Sequence, residues 1–430
     1  MVKLKEQKDY TFNKSIKIAT VPQKVFIPLS QHFGKQCIPV VKVKDTVLTG
    51  GLIATESSGI FSPIHSSVSG VVLDIQDYFH PLLGRHKAIV IESDGLDRCK
   101  TTPKRLQAEI ENLTSDELRK IIFDAGIVGL GGAAFPTHIK LKPPKRIEYF
   151  ILNGAECEPY LTNDFRLMVE HAKKILEGAE IVLKILGIDK CIVAIEDNKP
   201  EAIEIFKKEI RSRPFDKRRW EIRILKSQYP QGGEKQLIKS ILNREVPSGG
   251  LPFDIGVVVQ NVATVFAIYE AVYKNKPLYE RVITATGSCI ENPGNFLVRI
   301  GTTVRGLLND CGPLKEEPAK IIFGGPMMGV AQFSLDVPII KSTTGIIFFS
   351  KGEIINRENR VCCRCARCID VCPARIMPAI LGMAAEKERW DIAKDFDVFD
   401  CIECGLCSYI CPAKRDLVHL IKYAKSRVKA

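Results

Sequence analysis

The chain is 430 residues long, 45% hydrophobic and 26% charged, a globular composition that excludes disordered and fibrous classes and suggests roughly three domains. The opening MVKLKEQKDY lacks the apolar stretch of a secretory signal, and the longest charge-free apolar runs, Ile255–Tyr269 and Ile321–Leu335, fall short of the ~20 residues that span a bilayer, so neither export nor membrane insertion is expected. Fifteen cysteines, an odd count without an export signal, argue for thiolate ligands in a reducing compartment, and a net charge of +12 admits nucleic acid, an anionic surface or an acidic protein as partner.

Residues 1–100 read as all-β, with short Val- and Ile-rich runs at Val25–Ile27, Val40–Val43, Leu52–Ala54, Val71–Ile75 and Lys87–Ile91 separated by glycine turns. The chain turns polar over Thr101–Leu113. Thr114-Ser115-Asp116-Glu117 then forms a capping box ahead of Leu118, Ile121, Ile122 and Ala125 at helical spacing, with Gly126 as the stop. Strands are expected at Tyr149–Leu152, Cys191–Ile195 and Glu221–Leu225, and helices at Leu167–Leu186, Pro200–Arg211 and Glu234–Leu242. Such alternation implies an α/β layer with a parallel sheet. Strand signals return from Arg281 to about Ser350, and Glu353–Ala430 is cysteine-dense with helical patterning.

That last segment holds an internal repeat. Cys362, Cys365, Cys368 and Cys372 precede Pro373; Cys401, Cys404, Cys407 and Cys411 precede Pro412. Both read C-x₂-C-x₂-C-x₃-C-P, the spacing that holds [4Fe–4S] clusters. Two-residue gaps let one tight loop aim three thiolates at three corners of a cube, while the fourth leaves in another direction and ligates the other cluster. One cluster is therefore assigned to Cys362, Cys365, Cys368 and Cys411, and the second to Cys401, Cys404, Cys407 and Cys372. Zinc is disfavoured because neither motif contains His or pairs its ligands across a longer loop. Cys363 breaks the register, and Cys37, Cys99, Cys157, Cys191, Cys289 and Cys311 read as small core residues, Cys157 unless its loop binds a ligand. Each cluster with its thiolates carries roughly −2, so two reduce +12 to about +8. No basic–aromatic interleaving is present, so nucleic acid is not expected as a partner.

Gly129-Leu130-Gly131-Gly132-Ala133-Ala134-Phe135-Pro136 follows the capped helix, with Lys140 just beyond it. Glycines let backbone N–H groups converge on a phosphate, although most glycine turns are only turns, and no strand leads into this one as in a Rossmann fingerprint. Strand Tyr149–Leu152 runs into Asn153, Glu156 and Glu158 at the edge where α/β proteins bind ligands. Tyr229-Pro230-Gln231-Gly232-Gly233-Glu234 opens another helix, and Asn261 sits just past the apolar run Ile255–Val259.

On these residues Gly129–Asn261 resembles the flavin- and NADH-binding subunit of respiratory complex I, whose motifs run G-x-G-G-A-G-F-P-T-x-x-K, N-A-D-E-x-E-P, Y-x-x-G-E-E and N-N-V-E-T. The whole chain, over roughly residues 20–425, resembles the RnfC subunit of the Rnf ion-translocating electron-transport complex. Ile27-Pro28-Leu29-Ser30-Gln31-His32, Pro63-Ile64-His65-Ser66-Ser67 and the tandem cysteine motifs belong to that likeness. The resemblance implies FMN held by Gly129, Gly131 and Gly132, with Lys140 and Asn153 near its phosphate or ribityl chain and Asn261 at the flavin. Glu156 and Glu158 would face the nicotinamide nucleotide, and Tyr229 and Glu234 would line its site. Ala134, Ala155, Gly233 and Gln260 stand where complex I has Gly, Asp, Glu and Asn, and Phe12-Asn13-Lys14 replaces the Gly-Gly start of Rnf relatives.

The same resemblance implies a multidomain α/β and β chain: a barrel-sandwich hybrid over 1–100, an α/β FMN- and NADH-binding domain over 101–278, a β-grasp domain over 279–350 and a helical two-[4Fe–4S] ferredoxin-like domain over 351–430. No Lys lies in Pro63–Gly70, so a lipoyl or biotin arm is not expected. A hydride carries two electrons and a cluster accepts one, so a flavin between them explains both halves of the chain. The expected path runs from NAD(H) through FMN, the first cluster and the second to partner subunits. The expected setting is the cytoplasmic face of the cell membrane, beside the membrane and iron–sulfur subunits of the Rnf complex. Two alternatives are a soluble NADH-dependent reductase of the cobalamin- or proline-reductase type, and a non-catalytic wiring subunit.

Overall fold

The computed structural model describes residues 1–99, 103–213, 219–354 and 360–428. Thr101–Thr102 of the polar stretch and the last two residues of the cysteine-rich segment lie outside them.

Residues 1–20 cross several units as a strap that ends in β1 (Ile16–Ile18). The first compact unit is two small sheets. One runs β2-β8-β7-β4 and the other β3-β5-β6, from β2 (Lys24–Pro28), β3 (Ile38–Pro39), β4 (Thr46–Val47), β5 (Leu52–Thr55), β6 (Ile64–His65), β7 (Gly70–His80) and β8 (Gly84–Ser93). Val25, Ile27, Ile53, Ile64, Val72, Ile89 and Ile91 fill the space between them. The strand expected at Val40–Val43 is a turn. Lys44 takes a left-handed φ of 77°, and Val40 and Val43 are 53% and 47% exposed, so their β-branched character serves no sheet.

After α1 (Gln107–Asn112), the capping box starts α2 (Ser115–Asp124): Thr114 Oγ1 accepts the Glu117 N–H at 3.3 Å and Glu117 accepts the Thr114 N–H at 2.7 Å. Such a cap contributes about 1 kcal/mol. The helix ends at Gly126, where φ is +68° and a Cβ would lie 2.3 Å from the Pro63 carbonyl, so only glycine allows the first unit to close on the second.

The second unit contains α3 (Thr137–Lys140), β9 (Tyr149–Gly154), α4 (Asn163–Leu186), β10 (Cys191–Glu196), α5 (Pro200–Arg211), β11 (Trp220–Leu225), α6 (Glu234–Leu242), β12 (Val257–Asn261) and α7 (Val262–Lys274). Its strands pair in parallel, in the order β11-β10-β9-β12. The apolar run Ile255–Tyr269 is thus a strand and a helix meeting at Asn261. Ile175, Ala179 and Val182 of α4 and Val265, Ile268 and Val272 of α7 share one buried core with Phe150 and Leu152 of β9.

The third unit holds β13 (Glu280–Thr286), β14 (Gly294–Arg299), α8 (Val304–Cys311), β15 (Lys320–Phe323), β16 (Val330–Gln332) and β17 (Gly345–Phe349). Its sheet runs β1-β14-β13-β17-β15-β16, so the strap supplies an edge strand, with Ile16 opposite Asn295. The last unit carries α9 (Arg367–Asp370), α10 (Pro378–Glu386), α11 (Trp390–Asp395), α12 (Leu406–Ile410) and α13 (Leu417–Arg427) around Leu381, Ala385, Leu417 and Ile421. Among the described residues no helix is long and apolar enough to cross a membrane. Cys37, Cys191, Cys289 and Cys311 are buried as expected of core residues, whereas Cys99 is exposed.

Candidate functional site

The chain steps from β9 to β10 and β11, then returns to add β12 on the other flank of β9. Ligands of such sheets bind at the carboxyl ends beside that reversal. Asn153 and Asn261 stand there, directly opposite one another. Asn261 caps α7 by accepting the Ala263 N–H at 2.8 Å, and its amide donates to Asp164 at 2.6 Å. Asn153 accepts the Ala155 N–H and donates to the Gly232 carbonyl, both at 3.0 Å, which ties the 229–234 turn to the strand edge.

The glycine loop lies on the same edge. Leu130 N–H donates to Thr264 Oγ1 at 2.9 Å. A Cβ on Gly131 would fall 2.7 Å from the Asn261 amide nitrogen, whereas one on Gly132 would meet nothing within 4 Å. Gly131 therefore permits close approach and Gly132 leaves an open cradle. Ala134 takes φ +52°, a conformation glycine adopts with less strain. Lys140 pairs with Glu234 at the start of α6, so this cation is already matched. Nearby, Gln260 is 3% exposed and its Nε2 has no hydrogen-bond partner. An open cradle, two strand-end amides and an unsatisfied buried donor fit a flavin mononucleotide.

Glu156, expected to face the nucleotide, turns inward instead. It is 6% exposed, accepts the Asp164 N–H at 2.8 Å and lies 3.6 Å from Lys8 Nζ. Lys8 comes from the strap and donates to the Glu156 and Leu161 carbonyls at 2.7 and 2.6 Å. Burial pulls the Lys8 pKa down, with Glu156 opposing. Burial, then the Glu156 charge, push Asp164 up. Buried Arg281 reaches the Leu130 carbonyl at 3.2 Å, and desolvation brings it to about 10. The Asn261 amide thus rests on a buried network of charged groups.

Tyr229 is 1% exposed and donates its hydroxyl to the Cys404 carbonyl at 2.8 Å. Its backbone pairs with Val2 of the strap. Glu158 approaches the same hydroxyl at 3.5 Å and accepts the Met327 and Met328 N–H groups at 3.1 and 2.9 Å. Burial raises Glu158 to about 7, with those two amides opposing. Leu4, Cys157, Met327, Val371 and Ile402 pack around Tyr229, Cys404 and Leu406. The second cysteine loop is thereby seated on the α/β unit.

Seven of the eight repeat cysteines fall into two groups. Cys372, Cys401, Cys404 and Cys407 line one cavity. Cys404 and Cys407 each feel the charges of Cys372 and Cys401, and burial pushes them to about 11 and about 12. Cys368 instead feels Cys411 and Cys362. Cys365 is exposed and its pKa is lowered, chiefly by the Arg367 N–H. Among the described residues no three His, Cys, Asp or Glu side chains draw close enough to hold a metal ion. A cubane spreads its four thiolates wider than one ion does, and the Cys372 set shares one cavity.

A cleft of about 620 Å³ lies at the opposite edge of the sheet, between Arg119, Lys142, Lys145, Arg146 and Lys190.

The chain is 48% identical to the RnfC subunit of the proton-translocating ferredoxin:NAD(+) oxidoreductase complex of Clostridium ljungdahlii, over 99% of itself and 92% of that protein. It is 42% identical to the corresponding subunit of the Na(+)-translocating ferredoxin:NAD(+) oxidoreductase complex of Acetobacterium woodii, over 99% of itself and 95% of that protein. The chain belongs to this RnfC family. It is also 40% identical to the longer RnfC subunit of the ion-translocating oxidoreductase complex of Serratia proteamaculans, covering 60% of it. Residues 2–96 match the RnfC barrel sandwich hybrid domain, 122–270 the Nuo51 FMN-binding domain, 282–331 the SLBB domain and 354–412 the 4Fe-4S dicluster domain. A crystal structure of NAD+-reducing [NiFe]-hydrogenase in the H2-reduced state superposes with a TM-score of 0.51 at 18% identity, over 76% of this chain and 65% of that one, a likeness of fold. This member of the RnfC family is accordingly an iron–sulfur flavoprotein with FMN and two [4Fe–4S] clusters as its redox groups.

Sequence reasoning missed Lys8, Asp164, Arg281, Met327 and Met328. Lys8, Arg281, Met327 and Met328 reach the site from distant segments, and none of the five lies in a motif. The one available signal was Asp164 at the first turn of a helix that follows the Glu156–Glu158 loop.

Proposed function

We propose that this protein exchanges electrons between NAD(H) and the membrane and iron–sulfur subunits of an ion-translocating complex, as a peripheral component on the cytoplasmic face of the cell membrane. Bound FMN would accept the two electrons of a hydride and release them singly, which the clusters require. Gly129, Gly131 and Gly132 would line the phosphate and ring side of the flavin, with Asn153 and Asn261 presenting strand-end amides to it. Lys140 and Glu234, as a pair, would border the outer end of the cradle, and Glu158 and Tyr229 the nucleotide side. Glu156 would act from beneath, holding the Asp164 N–H and the strap rather than touching nucleotide. Cys372, Cys401, Cys404 and Cys407 would hold one cluster, and Cys362, Cys365, Cys368 and Cys411 the other. The third unit would be a β-grasp domain and the last a helical ferredoxin-like domain.

The observation that carries this reading is the Tyr229–Cys404 hydrogen bond at 2.8 Å. It seats one cysteine loop against the sheet edge that fits the flavin. It favours the reverse of the order expected from sequence: the cluster of the second motif would stand next to the flavin edge, and that of the first motif would lie beyond it. Anaerobic titration of the intact chain with NADH tests the proposal. Bleaching of flavin and then of cluster absorbance is expected; a spectrum that responds only to dithionite would leave a wiring role alone.

A further inference from the structure

The two cysteine loops have the same backbone and opposite surroundings. Left-handed residues recur at matched positions, Arg364 with Glu403, Ala366 with Gly405 and Arg375 with Lys414, each 39 residues on. In the second loop these positions face protein. Glu403 pairs with Lys422 and Lys425, Leu406 is 1% exposed, and a Cβ on Gly405 would lie 2.5 Å from the Met327 carbonyl. In the first loop Arg364, Ala366 and Arg367 are all exposed, as are Arg360 and Cys365, and Val361 is 88% exposed. Among the described residues the side chains of Arg360, Arg364 and Arg367 form no ion pair, and the sequence from 360 to 369 contains no acid.

We infer that this arginine rim is the docking face for an acidic protein carrying a one-electron redox centre. The inference rests on the proposed function, since it gives the outer cluster a partner. Three unmatched guanidinium groups on one short loop repel one another in the free chain, and a complementary anionic surface removes that cost. Thiolates and cluster beneath the rim carry negative charge that would repel an acidic partner, and the arginines offset it. Anionic lipid would match the charge but could not take the electron that this exposed site is placed to pass. The step is a bare electron transfer: no bond forms, the outer cluster is oxidised, and the partner's centre is reduced. Oxidation of one NADH supplies two such transfers and releases one proton.

The test uses the full chain, anaerobically loaded with FMN and both clusters, with an acidic two-cluster ferredoxin as probe. Reducing the chain with dithionite reads the docking step without passing through the flavin. The rate to ferredoxin is expected to fall by about tenfold between low and high salt. R360Q/R364Q/R367Q should be about tenfold slower at low salt and nearly insensitive to it, with iron content unchanged. If R364Q costs iron, R360Q/R367Q still provides the comparison. K142Q/K145Q/R146Q, in the cleft at the far sheet edge, should keep the parent rate. The inference is overturned if the arginine variant keeps the parent rate, or if the cleft variant loses as much. It is also overturned if the arginine variant loses only its binding to phosphatidylglycerol vesicles. NADH bleaching of the parent chain is scored separately, so failure of the functional reading is distinguished from failure of this one.

Discussion

Tyr229 and Cys404, 175 residues apart, are joined by a hydrogen bond from a buried phenol to a main-chain carbonyl. The tyrosine belongs to the turn that Asn153 ties to the sheet edge, and the carbonyl belongs to the middle cysteine of the second motif's first three. A buried carbonyl without a donor costs more than an average hydrogen bond is worth, so this contact fixes position as well as stability.

Y229F keeps the ring and removes the donor. The variant should unfold with a loss of about 1–3 kcal/mol and pass electrons from flavin to clusters more slowly, while NADH still bleaches the flavin. Anaerobic thermal melting and rapid-mixing absorbance read the two effects. Unchanged melting would mean that the Cys404 carbonyl is satisfied by other means.

The matched glycine and alanine of the two loops should respond differently. G405A drives a methyl group toward the Met327 carbonyl and adds left-handed strain of about 1–2 kcal/mol, so the second loop should lose its seat. A366S, exposed at the same backbone position, should be neutral. Iron content and the rate of cluster reduction by NADH decide between them.

Gly131 and Gly132 separate packing from ligand contact. G131A should displace Asn261 from Asp164 and lower thermal stability even without flavin. G132A meets no protein atom, so its effect should appear only as weaker FMN binding, by about tenfold or more if the backbone approaches the phosphate. Flavin-to-protein ratio after dialysis, alongside melting of the flavin-free chain, checks both.

Glu158 imposes a pH dependence on stability. Its folded pKa is about 7 against an ordinary 4.5, because burial disfavours the charge. The folded chain therefore binds more protons than the unfolded chain in that window. Stability from this group is full below about pH 4.5, is lost as pH rises toward about 7 at no more than about 1.4 kcal/mol per unit, and is level above it. E158Q should flatten that part of the profile. Denaturant midpoints of parent and variant at several pH values give the comparison; parallel profiles would refute it.

The alternation of helices and strands in the α/β unit was legible because it is local. Thr114 and Glu117 cap a helix with their own neighbours, and Gly126 stops it where a side chain has no room. Val40–Val43 misled because β-branched residues there sit on an exposed turn. Glu156 misled for a different reason: a carboxylate at a strand edge reads as a ligand until a lysine 148 residues away is seen to claim its loop. The thiol spacing disclosed two cubane sites but not which loop docks inward. That information was present in the contrast of Gly405 and Leu406 with Ala366 and Arg367, and it became readable only once Tyr229 and Met327 were in place.

The strap also has a consequence for synthesis on the ribosome. Lys14 bonds to the Pro293 carbonyl, 279 residues later, and among the described residues β1 pairs only with β14. At ~5–20 residues per second the nascent chain needs on the order of 15–60 s to make those partners. During that interval Ile16 lacks its strand partner, even after Glu156 and Leu161 have emerged to take Lys8, so a segment made early is among the last to settle, and its closure marks the moment when the upstream and downstream halves become one object.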